Sequence, residues 1–150
     1  QVLDPNITAC KDKHELFEQY IETGARIEFN QGLDLRLLTE TDMEYLNRMK
    51  IKMLHFAWDN PKDDLTEKLK MFAESYKYDI RRKAYVFVLT NFNSTMEENL
   101  SRIYTIRDLG LSPYVMVYDK PHAPKEIKRL QRWVNNSFIF RSVPRFEEYI

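Results

Sequence analysis

Short apolar runs alternate along this chain with stretches of helical spacing. β-rich runs occupy Ala25 to Phe29, Ile51 to Trp58, Ala84 to Leu89, Tyr114 to Tyr118 and Phe138 to Phe140. Their starts lie roughly 25 to 33 residues apart, the length of a βαβ unit. Between them, Leu65, Leu69, Phe72 and Tyr76, and later Ile127, Leu130 and Val134, recur at helical spacing, so that each stretch presents one apolar stripe to a sheet. Gln1 to Leu3 reads as a short opening strand. The polar turn Asp4-Pro5-Asn6 and a first helical stripe of Leu16, Phe17, Tyr20 and Ile21 follow it. The predicted order is one strand and then five αβ repeats.

Local start and stop signals agree with this division. Thr39 with Asp42, Asp64 with Glu67 and Ser94 with Glu97 each set an acceptor three positions ahead of an acid, the pattern of a helix start. Pro124 suits a first helical turn, and Gly110 suits the left-handed residue that ends a helix. Strict alternation implies a parallel sheet with right-handed crossovers, and the runs AYVFVL and YVMVY are apolar enough to predict strands covered on both faces. The class is therefore α/β, as a single domain of about six strands, in either a doubly wound sheet or an arc of a (βα) barrel. An opening strand with nothing before it leaves an unprotected edge. The chain is accordingly expected to be a piece of a larger fold, and that edge to pair with a second copy in a homodimer.

Composition narrows the function classes. The chain has 150 residues with 23 Lys+Arg against 23 Asp+Glu, so it has no global field to hold a polyanion and nucleic acid is not expected as a partner. The basic positions Lys125, Lys128, Arg129 and Arg132, and Arg81, Arg82 and Lys83, read as solvated surface. No apolar run reaches the roughly 20 residues of a spanning helix, and no signal pattern opens the chain; the expected setting is cytoplasmic, away from membranes. Cys10 is the only cysteine, which excludes an internal disulfide or an all-cysteine metal site, and three glycines are too few for a dinucleotide fingerprint or a Walker A loop.

Ligands of parallel α/β folds bind beyond the carboxyl ends of the strands. The residues at those positions are Asp4, Asn6 and Thr8, then Asn30, Gln31, Asp34 and Arg36, then Asp59 and Asn60, then Thr90, Asn91 and Asn93, and finally Tyr118, Asp119 and His122. Carboxamides and hydroxyls both donate and accept without net charge, which suits ribose hydroxyls, an amino-acid head group or a base edge. The same residue types also favour turns and caps for local reasons. Asp34 and Arg36 form either a structural ion pair or an anion site in which Asp34 holds the guanidinium. Cys10 and His14 make two ligands without a third, so no metal site is expected, and His55 reads as a core or barrel-lining residue. No nucleophile elbow and no isolated carboxylate pair is present.

FNQGLDLR at 29 to 36, YVFVLTNFNST at 85 to 95, LGLSPYVMVYDKP at 109 to 121 and DPNITA at 4 to 9 together resemble the C-terminal part of radical S-adenosylmethionine proteins, in particular a bacterial and phage-associated group. The resemblance covers nearly the whole chain. It implies a TIM-barrel-like fragment, the later units of a parallel partial (βα) barrel, from an enzyme that uses S-adenosylmethionine and a [4Fe–4S] cluster. The cluster would be held on a CxxxCxxC loop that this sequence lacks, leaving residues 1–150 catalytically incomplete by themselves. It also implies that Asn30, Gln31, Asn91 and Asn93 face cofactor or substrate. Asp34, Arg36, Asp59 and Tyr118 would surround the same mouth. The rival expectations are a non-catalytic α/β module binding a small ligand or protein and, with less support, nucleic-acid modification.

Overall fold

The computed structural model describes residues Gln1–Ile150. Its strands are β1 Arg26–Ile27, β2 Lys50–Ile51, β3 Leu54–Ala57, β4 Ala84–Thr90 and β5 Ser112–Val117. Its α-helices are α1 Lys13–Thr23, α2 Glu40–Arg48, α3 Thr66–Ser75, α4 Ile80–Lys83, α5 Met96–Asp108, α6 Lys125–Asn135 and α7 Ser137–Ser142. Short 3-10 turns cover Ile7–Ala9, Leu35–Leu37 and Phe146–Glu148. All strand pairing is parallel: β1 with β2 in one sheet, and β3, β4 and β5 side by side in another. The fold is mixed α/β, and its sheets do not close into a barrel.

The opening strand shrinks to one parallel bridge between Val2 and Phe29, in which the Val2 N–H donates to the Glu28 carbonyl at 2.9 Å. The long run predicted over Ile51 to Trp58 is split between β2 and β3. After Phe29 the chain leaves the sheet and turns at Gly32, so beyond Lys52, whose N–H reaches the Ile27 carbonyl, β3 finds its regular partner in β4. The capping box predicted at Thr39 and Asp42 starts α2; the one before α5 forms one residue later, between Thr95 and Glu98. Gly110, at φ 82°, ends the α5 region in the left-handed conformation.

Two expectations are corrected. Phe138 to Phe140 is not a sixth strand but part of α7. The Asn136 side chain accepts from the N–H groups of Phe138 and Ile139, and the Phe140 ring packs against Trp133 at 4.7 Å, so local capping and an aromatic contact outweigh the β preference of the residues. Nor are the strands covered on both faces. Leu54, Phe56, Ala84, Val86, Val88 and Val115 are buried on one face, where Phe72 of α3 meets Phe56 edge-on at 4.8 Å and α5 and α6 pack on β4 and β5. The alternating positions His55, Tyr85, Phe87, Tyr114 and Met116 lie on the other face, which is open.

The outer edge of β5 is closed off by side chains. Val115 donates its N–H to Asn135 Oδ1 at 2.8 Å, and its carbonyl accepts from Asn135 Nδ2 at 3.0 Å. Pro113, two residues along and facing the same edge, has no N–H to offer.

Candidate functional site

Three successive loops meet at the carboxyl ends of the strands. Asn6, Asn30, Gln31, Asp34, Arg36 and Asp59 line one hollow of about 500 Å³, together with open-face residues that include His55 and Phe87. The geometry begins with Gly32, at φ 77°, where an added Cβ would meet the His55 carbonyl oxygen at 2.7 Å. Only glycine lets the loop lie this close to β3, and the next residue uses the approach: the Leu33 N–H donates to that carbonyl at 2.9 Å. Thr8, itself buried, joins the first loop to the second. Its hydroxyl donates to Asn6 Oδ1 and accepts from the Asp34 N–H at 3.0 Å.

Asp34 and Arg36 form the structural pair that was one of the two sequence readings. The guanidinium donates through Nε to Oδ1 at 2.9 Å and through a terminal nitrogen to Oδ2 at 2.8 Å. Hydrogen bonding from Arg36 holds the Asp34 carboxyl below its ordinary range. On the far wall, Asn60 donates to Asp63 Oδ1 at 3.0 Å and the Trp58 indole donates to the Asp63 carbonyl at 2.6 Å, so this loop too is held by its own side chains.

A residue that sequence reading missed fixes the strand ends. Arg102 of α5 is 3% exposed and has no carboxylate partner. One terminal nitrogen donates to the carbonyls of Trp58 and Asp59 at 2.6 and 3.2 Å; the other donates to the Leu89 carbonyl at 3.1 Å and Asn99 Oδ1 at 2.7 Å. Nε reaches the Glu98 carbonyl at 3.3 Å. Burial lowers the pKa of this guanidinium, yet it stays a cation and all of its donor groups find neutral acceptors. It pins the ends of β3 and β4 to α5.

The remaining predicted residues lie outside the hollow. Asp4 accepts from the Asn6 N–H at 2.8 Å as a turn residue. Asn91, at φ 61°, donates from its side chain to the Tyr118 carbonyl at 2.8 Å and ties β4 to β5, while Asn93 is exposed. The exposed Tyr118 ring lies 4.9 Å from Phe92, and His122 pairs with Asp119 at 2.9 Å on the surface. The strand-end residues are therefore divided: those of the first three loops converge except Asp4, and those after β4 and β5 do not join them.

Away from the mouth, the fully buried Asp42 accepts from Lys13 at 2.8 Å, from the Thr39 hydroxyl at 2.8 Å and lies 2.7 Å from His14 Nε2. Burial raises its pKa, but these hydrogen bonds outweigh burial and hold it below the ordinary value. The cluster joins α1 to α2 and takes His14 away from Cys10 as a ligand. No group of three or more His, Cys, Asp or Glu side chains is placed to hold a metal ion, and one thiol does not fit a [4Fe–4S] cluster. A nucleoside-sized ligand does fit the volume and the amide lining of the hollow. No helix is long and apolar enough to cross a membrane. Compared with known proteins, the chain matches no family model, no curated protein and no solved structure.

Proposed function

We propose that this chain forms the later βα units of a partial (βα) barrel of the radical S-adenosylmethionine kind, with the hollow at its strand ends contributing to the cofactor and substrate mouth. The observation that carries this reading is one-sided cover. Parallel strands paired in chain order, with helices over one face and an open opposite face, are what an arc of a barrel presents, whereas a doubly wound sheet is covered on both. The convergence of Asn6, Asn30, Gln31, Asp34 and Asp59 supports a ligand at the carboxyl ends.

In this reading Asn30 and Gln31 orient an adenosyl group or substrate through amide hydrogen bonds. The Asp34–Arg36 pair and Thr8 hold the loop that carries them, and Arg102 keeps the strand ends in line. The cluster does not fit the residues present, so its ligands would come from chain outside residues 1–150. The test is anaerobic reconstitution of the full reading frame with iron and sulfide, followed by assay for 5′-deoxyadenosine. Cluster absorbance with adenosyl cleavage is expected, and Gln31→Ala should lower the cleavage rate by at least about tenfold. Absence of both signals overturns the reading. A non-catalytic ligand-binding module is the second reading, favoured by the completed Asp34–Arg36 pair; it predicts ligand binding to the hollow without cleavage.

A further inference from the structure

The open face of the β3-β4-β5 sheet carries a second and larger groove, of about 1250 Å³, toward the amino ends of β4 and β5. His55, Phe87 and Met116 line both this groove and the mouth hollow, so the two form one trough. The ends of that trough differ in charge. Asp34, Asp59 and Asp63 stand against Arg36 at the mouth, whereas Arg81, Arg82, Arg107 and Arg141 stand against Asp79 at the other end. A chain of zero formal net charge thus has a local basic field, assembled from arginines far apart in sequence.

Much of this positive charge is free to meet a ligand. Arg81 makes no side-chain ion pair, and Arg141 uses only Nε, on the Ser137 carbonyl at 2.8 Å. Arg82 meets Asp79 at a loose 3.5 Å, and Arg107 is the most engaged, with Asp108 at 3.0 Å and the Pro144 carbonyl at 2.6 Å. Between the arginines lie aromatic rings. Tyr114 is 40% exposed and stands edge-on to Phe87 at 5.5 Å, while Phe87 lies nearly parallel to His55 at 5.4 Å. Tyr85 lies beside His55 at 6.4 Å.

We propose that this groove binds single-stranded nucleic acid, with a base stacking on the exposed Tyr114 ring beside Phe87 and phosphates meeting Arg81, Arg82 and Arg141. Open sheets with exposed rings and flanking arginines fit unpaired bases, whose flat faces a duplex conceals. An acidic peptide would satisfy the arginines but leave the rings without a stacking partner. Arg81 and Arg82 are exposed, as the sequence suggested, and in this proposal they are also phosphate contacts. The basic face of α6 is less available, because Lys128 bonds the Pro121 carbonyl and Arg129 lies over the Phe146 ring. The arginines of this groove lie at the end of the trough that the barrel reading does not use, while Phe87 and the open face are common to both.

The test is fluorescence anisotropy with a labelled ten-nucleotide poly-uridine strand, a duplex of equal length and a poly-glutamate peptide, at 50 and 200 mM salt. The single strand should bind most tightly and weaken about twentyfold across that salt range if the three arginines neutralise three phosphates. Arg81→Glu with Arg141→Glu should weaken it by at least about tenfold, and Tyr114→Ala by about fivefold or more, the latter with little change in salt dependence. Both variants alter exposed residues, and thermal unfolding checks that they remain folded. Absence of single-strand binding, equal binding of the duplex, tighter binding of poly-glutamate, or folded variants with unchanged affinity would overturn the proposal.

Discussion

The two faces of the β3-β4-β5 sheet are built from alternate residues of the same short strings, yet they have different chemistry. The covered face is aliphatic apart from Phe56 and Thr90, whereas the open face carries His55, Tyr85, Phe87, Tyr114 and Met116. Side chains with a polar tip or a polarisable group tolerate an interface between protein and water better than valine or leucine does. The contrast teaches that one strand supplies stability and recognition at once, at positions separated by a single residue. Function on this sheet is therefore expected to reside in the odd-numbered half of β4, at Tyr85 and Phe87, and stability in the even-numbered half, at Val86 and Val88.

The largest effect that would break this comparison is expected at Phe56, which is 1% exposed. Phe56→Ala should cost about 3–5 kcal/mol through lost burial and a residual cavity, read as a lower urea midpoint. On the other face, Tyr114→Ala should cost only about 1 kcal/mol, most of it from the edge contact with Phe87. A cost at Tyr114 equal to that at Phe56 would show that the open face is packed after all. The smallest effect concerns pH. Burial holds the His55 pKa below its ordinary value of 6.5, against the opposing influence of the Glu28 charge and the Phe29 backbone. The unfolded chain then binds the proton more readily, so this contribution to stability is complete above pH 6.5 and is lost as the pH falls through the lower folded value. His55→Phe should flatten that part of the stability profile relative to the parent chain, as measured by urea unfolding at a series of pH values.

Several elements governed by neighbours in sequence were legible in advance. The strands at β4 and β5 lie within a residue or two of their predicted limits, and the Thr39–Asp42 box forms as its spacing implies. One-sided cover was not legible, because Tyr and Phe count as apolar whether they are sealed in a core or half-open to water. The strand predicted over Phe138 to Phe140 failed because its β preference was weighed without the Asn136 cap before it. The loop from Asn30 to Arg36 was recognisable as a site candidate from its density of polar groups and its glycine. Arg102 was not: its acceptors include Trp58 and Leu89, 44 and 13 residues away, which only the folded chain brings within reach. The basic groove was missed for the same reason, since Arg81, Arg107 and Arg141 share no local pattern.

Because four of the five acceptors held by Arg102 are main-chain oxygens, that anchor is indifferent to which side chains the residues at Trp58, Asp59 and Leu89 carry. The rim can thus exchange its chemical vocabulary, residue by residue, while the frame beneath it stays in register. Descendants of such a scaffold have room to acquire new ligands without first inventing a new way to hold their loops.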